Sequence, residues 1–177
     1  MKKIVGLLLV LSSFFLITSC VNEKSHDNDM DKKAAVDVTR EKLEISQLLD
    51  NLAAATESGN FEMIENIWWT SEDVLLIGTD NDQKLEGWEE ISEAIKKQFR
   101  TFGETLISIT DQTIWLNDDA TIAWFAEELN YNFVFEEKAM TYEGIRFTGV
   151  MRKIDGKWRL VQQHMSIPAI PEMVKTK

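Results

Sequence analysis

The chain has 177 residues, 44 % of them hydrophobic, and a formal charge of −11. That length supports one domain with a substantial core, and that charge argues against nucleic acid or an anionic surface as partner, because phosphates would be repelled. Cys20 is the single cysteine, so no intrachain disulfide can form and no Cys/His set for zinc exists.

Residues 1–19 read MKKIVGLLLVLSSFFLITS. Lys2 and Lys3 precede an apolar run from Ile4 to Ile17, the layout of a secretory signal and too short for a comfortable membrane span. Ile17-Thr18-Ser19-Cys20 resembles the lipobox of bacterial lipoproteins. The resemblance implies cleavage before Cys20, a diacylglycerol on its thiol and an acyl chain on its new amine, so that a membrane is the first partner. One acyl chain binds only marginally, at about 0.8 kcal/mol per buried methylene, whereas several anchor stably. The alternative is an ordinary signal peptide with a chance cysteine. Loss of Lys2 and Lys3 with the signal takes the charge from −11 to −13. Val21 fits sorting to the outer rather than the inner membrane of a bacterial envelope.

Residues 20–37 then comprise the lipidated cysteine and a polar, flexible tether, spanning about 20–25 Å on average. His26 reads as solvated there; metal capture with Asp27 and Asp29 is the sharper alternative.

Residues 38–58 carry Val38, Ile45, Leu48, Leu49, Leu52 and Ala55 at helical spacing, with Gly59 suited to the C′ position. Asn60 can cap a second helix through about Trp68, with Phe61, Ile64 and Trp68 on one face. VLLIGTDNDQKLEG reads as a short strand pair around a polar turn. Trp88, Ile91, Ile95, Phe99 and Phe102 stripe a third helix. Strands follow at Thr105–Asn117, Ala120–Phe135, Ala139–Ile154 and Lys157–Ile167, with turns at Asp118-Asp119 and Asp155-Gly156 and a stop at Pro168. Helices first and an antiparallel meander after give an α+β fold. Strands this long must twist and curl, and a curved antiparallel sheet wrapped around N-terminal helices forms a cone with a pocket. Residues 38–168 are the domain; 169–177 read as a loose tail.

SGNFEMIENIWW, LEGWEEISEAIKKQF and RFTGVMRKIDGKWRLVQQHMSIP, in this order of elements, resemble the SnoaL-like branch of the nuclear transport factor 2-like superfamily. The last string carries R-x-T, D-G-x-W and H-x-S-x-P. The resemblance implies a cone-shaped fold with a pocket, frequent dimerisation through the sheet, and functions from isomerases, cyclases and dehydratases to non-catalytic binders. Fold alone does not choose among them. Ketosteroid isomerase, the best-understood catalytic relative, needs a tyrosine, an aspartate base and a protonated aspartate. Those positions fall near Leu52, Leu76 and Thr148 here, none of which carries the needed group.

Four residues are candidates for binding a small, largely apolar ligand: Trp69, Trp124, Arg146 and His164. Period-two alternation puts His164 on a face with Trp158, Leu160, Gln162 and Ser166, where a neutral imidazole could move protons near pH 7; packing or a dimer contact is the plainer role. Arg146 shares a face with Tyr142, Gly144, Thr148 and Val150. In a pocket it needs a carboxylate or an anionic ligand; otherwise it is an exposed sheet residue. The strand 120–135 offers one face with Trp124 and Glu128 and another with Phe125 and Glu127, and the first is expected to face the pocket. His164 and Glu128 are the candidate proton carriers if the domain is an enzyme, although Glu128 could equally form a structural pair with Arg146. Trp69 could roof the pocket or merely pack. Glu89-Glu90 and Glu136-Glu137 read as solvated charges. No G-x-S-x-G, H-E-x-x-H, Walker or G-x-G-x-x-G motif occurs. The expectation is therefore no cofactor and no metal, with plain binding, acid–base chemistry or a non-catalytic dimerisation module left as readings.

Overall fold

The computed structural model describes residues 36–80 and 82–169. The expected signal peptide, Cys20, nearly all of the tether and all but the first residue of the tail lie outside them. Among the described residues no helix is long and apolar enough to cross a membrane.

Helix α1 spans Val38–Ser58. The Asp37 carboxylate caps it by accepting from the Arg40 N–H at 3.1 Å, and Gly59, at φ 64°, ends it in the left-handed conformation. Its buried stripe is Glu41, Ile45, Leu49, Leu52 and Ala55. Val38, expected in that stripe, is exposed; the acidic Glu41 occupies the inward position one turn on. Helix α2, Phe61–Ile67, is capped by Asn60, whose side chain accepts from the Met63 N–H at 3.1 Å. Helix α3 spans Trp88–Thr101 and turns Ile91 inward.

The strands are β1 (Leu75–Ile77), β2 (Lys84–Glu86), β3 (Phe102–Leu116), β4 (Ile122–Phe135), β5 (Lys138–Ile154) and β6 (Lys157–Ser166). They form one sheet in the order β2-β1-β6-β5-β4-β3. The meander β3 to β6 is antiparallel as expected. The short pair β1–β2 was expected as a local hairpin; it also extends the sheet, with β1 running parallel to β6. Asp155 and Gly156 turn β5 into β6 with φ of 49° and 75°. Glu136 and Glu137, read as solvated charges, are also the two positive-φ residues that turn β4 into β5.

One face of the sheet is covered by the helices and the other is open. On β4 the division is clean: Ala123, Phe125, Glu127, Leu129, Tyr131 and Phe133 are all buried, while Trp124 and Glu128 point the other way and are exposed. Four bulges bend the strands and shift the phase of alternation; the first lies at the start of β3, between the pairs Phe102–Phe135 and Thr105–Phe133. Asp111 is an extra residue on β3, between the pairs Thr110–Glu128 and Gln112–Glu127. Glu143 and Gly144 stand against the single residue Asn130, with Gly144 at φ 64° donating its N–H to the Asn130 side chain. Val161 is an extra residue on β6, between the pairs Met151–Leu160 and Val150–Gln162.

Candidate functional site

A cavity of about 220 Å³ lies between the helices and the covered face of the sheet. Its walls are mostly apolar. Leu49 and Leu52 come from α1, Phe99 from α3, Leu129 and Phe133 from β4, and Phe147 from β5. Trp68 closes the wall at the end of α2, and its indole N–H is buried without a hydrogen-bond partner. The β1–β2 turn contributes Gly78, Thr79, Asp80 and Gln83. For scale, an apolar cavity of about 150 Å³ accepts benzene, so this one takes a larger apolar group.

Two ionisable side chains of β4 enter the cavity wall. Glu127 is 5 % exposed. The bulge at Asp111 sets Gln112 directly opposite it, and Gln112 Nε2 donates to Glu127 Oε2 at 2.8 Å. Ser46 of α1 donates to Gln112 Oε1 at 2.7 Å, which turns the amide so that its NH₂ faces the carboxyl. Burial raises the Glu127 pKa; the Gln112 hydrogen bond opposes that rise, and the Asp50 charge adds to it. Tyr131, four residues on along the same face of β4, accepts from Gln98 Nε2 at 2.8 Å. Burial pushes its phenol up to about 12 despite hydrogen bonds from Gln98 and Thr105, with the Glu57 charge adding to the rise. At neutral pH Tyr131 is therefore a neutral donor and acceptor.

The sequence-derived candidates sit elsewhere. Trp124, Glu128, Arg146 and His164 all lie on the open face, and none lines the cavity. Glu128 is paired in register with Arg146, and His164 with Thr148 and Ile77. The expectation that these side chains point inward is corrected by geometry. For His164 the cause is the Val161 bulge: Trp158 and Leu160 face the core, but the inward series then continues through Gln163 and Met165, which line the cavity. For Arg146 the cause is the bulge at Gly144, which parts it from the inward-facing Tyr142. For Trp124 and Glu128 the other face of the strand is the buried one. Trp69 is half-buried outside the cavity, with Arg152 stacked over its ring at 5.3 Å; its neighbour Trp68 forms the wall instead. Leu52 and Leu76 do line the cavity, whereas Thr148 does not.

Glu127 and Tyr131 are the residues that the choice of strand face left out. A signal for them existed in the apolar side chains that share their parity on β4. Among the described residues no group of three or more His, Cys, Asp or Glu side chains could hold a metal ion.

Residues 45–170 match the SnoaL-like domain family. No curated protein matches the chain. A nuclear transport factor 2-like superfamily protein from Salmonella enterica serovar Typhimurium LT2 superposes with a TM-score of 0.69 at 17 % identity, covering 78 % of this chain and 99 % of the other. A protein named as a candidate dehydratase of the nuclear transport factor 2-like family, from Streptomyces avermitilis, gives 0.67 at 15 % identity, covering 75 % and 99 %. One named as a candidate scytalone dehydratase, from Novosphingobium aromaticivorans, gives 0.66 at 11 % identity, covering 77 % and 91 %. At these identities the likeness is one of fold.

Proposed function

Because the chain belongs to the SnoaL-like domain family, we propose that it binds a small, largely apolar molecule between its helices and its sheet. The observation that carries this reading is the cavity itself, greasy on its walls and furnished with a few inward polar groups, the usual make-up of a small-molecule site. Native mass spectrometry of the gently purified protein tests it. A co-purifying small molecule supports the reading, and loss of that molecule when a cavity residue is enlarged, as in Leu129→Trp, places it. A chain that is empty and stays empty when challenged with apolar compounds defeats it.

A second reading is acid–base catalysis on the bound molecule. Glu127 and Tyr131 favour it as buried ionisable groups of the cavity wall, and two structural neighbours carry dehydratase names. On this reading the proton carriers are those two residues rather than His164 and Glu128. Glu127→Gln would then keep the captured molecule but stop its conversion.

Two further elements complete the proposal. The lipobox-like Ile17-Thr18-Ser19-Cys20 makes the protein a lipoprotein of the bacterial envelope, on the outer membrane. Palmitate labelling lost in Cys20→Ser tests this. The open sheet face supports association with a second copy. Trp115 and Trp124 stack there at 6.4 Å and are 41 % and 44 % exposed, with Ile122 beside them. Glu128 and Arg146 lie opposite each other on that face without an ion pair among the described residues, so a two-fold copy can offer each its opposite charge. Sedimentation of Trp124→Glu as a lighter species than the unaltered chain supports association; equal sedimentation removes it.

A further inference from the structure

We propose that the cavity selects a cationic amine: an apolar, ring-bearing body whose ammonium group pairs with the free oxygen of Glu127. This rests on the cavity being a binding site and adds the chemical class of what it takes.

The first observation is the charge of the wall. Among the described residues that line the cavity there are two carboxyls, Glu127 and Asp80, and no lysine, arginine or histidine. A ligand carboxylate or phosphate finds no counter-charge, and it meets a buried acid instead. The nearby charges that act on the wall are acidic as well, Asp50 on Glu127 and Glu57 on Tyr131. The whole chain, at −11, draws cations toward it.

The second observation is how Glu127 is held. Gln112 satisfies Oε2, and Ser46 locks Gln112 in the orientation that donates. Oε1 has no hydrogen-bond partner among the described residues, and the side chain is neither fully enclosed nor paired with a cation. A carboxyl this deep normally has a cation or a full set of donors. Here the network supplies one donor to one oxygen and leaves the other without one, on a residue that lines the cavity. An ammonium supplies the missing charge and the missing donors together.

The third observation is the aromatic wall. Trp68, Phe99, Phe102, Phe133 and Phe147 surround the space, with Tyr131 farther along β4 from Glu127. Ring faces attract cations as well as apolar groups. Tyr131 can donate its hydroxyl proton to a polar atom while accepting from Gln98.

The test is calorimetry of the full chain at pH 7.5 with three probes that share one body: 4-phenylbutylamine, 4-phenylbutanol and 4-phenylbutyrate. The amine should bind at least about ten-fold more tightly than the alcohol, and the acid more weakly than either. Glu127→Gln should weaken the amine by about ten-fold or more and leave the alcohol within about three-fold. If the alcohol binds as well as the amine, or Glu127→Gln weakens both alike, the amine preference is wrong and the binding cavity stands. If the acid binds best, the charge argument is overturned. If none of the three binds, the cavity reading falls with it. Should Glu127→Gln fail to fold, the ranking of the three probes on the unaltered protein decides alone.

Discussion

Glu41 and Glu127 are the same residue type buried to the same depth, 4 % and 5 % exposed, yet their surroundings are opposite. Glu41, on α1, is enclosed by donors: Lys153 Nζ at 2.5 Å and Trp158 Nε1 at 2.8 Å on one oxygen, and Arg40 on the other at 3.3 Å. Burial alone would raise its pKa, but those hydrogen bonds and the Lys153 charge outweigh it and hold the carboxyl below its usual range. Glu127 has one neutral donor and no cation, and its pKa moves the other way. One acid is a rivet between α1 and the β5–β6 hairpin. The other is a polar group held unfinished on a cavity wall. Burial alone does not mark a functional carboxyl; what distinguishes it is which of its partners the protein withholds.

The largest effect expected from that contrast falls on Glu41. Glu41→Ala strips Lys153 of its partner while the lysine stays largely covered, at 22 % side-chain exposure. Breaking a buried pair from one side costs about 3 kcal/mol, which urea unfolding of the variant should show as an earlier midpoint. The pH dependence follows from the sign of the shift. A carboxyl with a lowered folded-state pKa stabilises above its unfolded value and loses that contribution as pH falls through the folded one. The unaltered chain should therefore weaken in acid more steeply than Glu41→Gln.

Glu127→Gln should do the reverse, and less. A raised folded-state pKa means the contribution is present below the ordinary carboxylate pKa and is lost as pH rises through the folded value. Above that window the unaltered chain carries an ionised acid without a cation, and the glutamine does not. The variant should then melt later than the unaltered chain at pH 8 and no later at pH 4. A variant that melts earlier at both values would show that Glu127 belongs with Glu41 as a rivet, and would end the contrast.

Tyr131→Phe probes the milder polar group of the same wall. It removes the acceptor for Gln98 Nε2, and a lost neutral hydrogen bond costs about 1 kcal/mol. Because the ring remains, the apolar wall is unchanged, and the thermal midpoint should fall by only a few degrees. A null result would mean that Gln98 finds another acceptor.

Much of the architecture was legible in the chain because it rests on local chemistry. Asn60 and Gly59 sit where capping requires them, Asp155-Gly156 turns where a two-residue hairpin needs positive φ, and the apolar stripe of α1 runs as read from Ile45 onward. The parallel seating of β1 on β6 was not legible, since three-residue strands carry no record of their partner. The cavity residues were missed for a sharper reason. Strict alternation fails at a bulge, and three of the four long strands have at least one. Yet the slips leave a mark. On β3 the inward apolar residues fall at Ile107 and Ile109, then at Ile114 and Leu116, changing parity across Asp111. On β6 they fall at Trp158 and Leu160, then at Val161 and Met165. Gly144, a glycine within a strand, marks the bulge on β5. A change of parity in the apolar series is thus a readable sign of a bulge, and the polar residues beyond it must be reassigned to the other face.

The smallest effect tests that reassignment. His164 lies beyond the Val161 bulge, paired with Thr148 on the open face and outside the cavity wall. Its replacement removes no side-chain hydrogen bond among the described residues and no part of the cavity, and surface changes of this kind stay within about 0.5 kcal/mol. His164→Ala should therefore melt as the unaltered chain does and bind the phenylbutyl probes with the same affinity, whereas Gln163→Ala, one residue earlier and on the wall, should alter probe binding. Were His164→Ala to weaken the probes while Gln163→Ala left them untouched, the end of β6 would run in the opposite phase. The inward face assigned to Gln163 and Met165 would then belong to the imidazole.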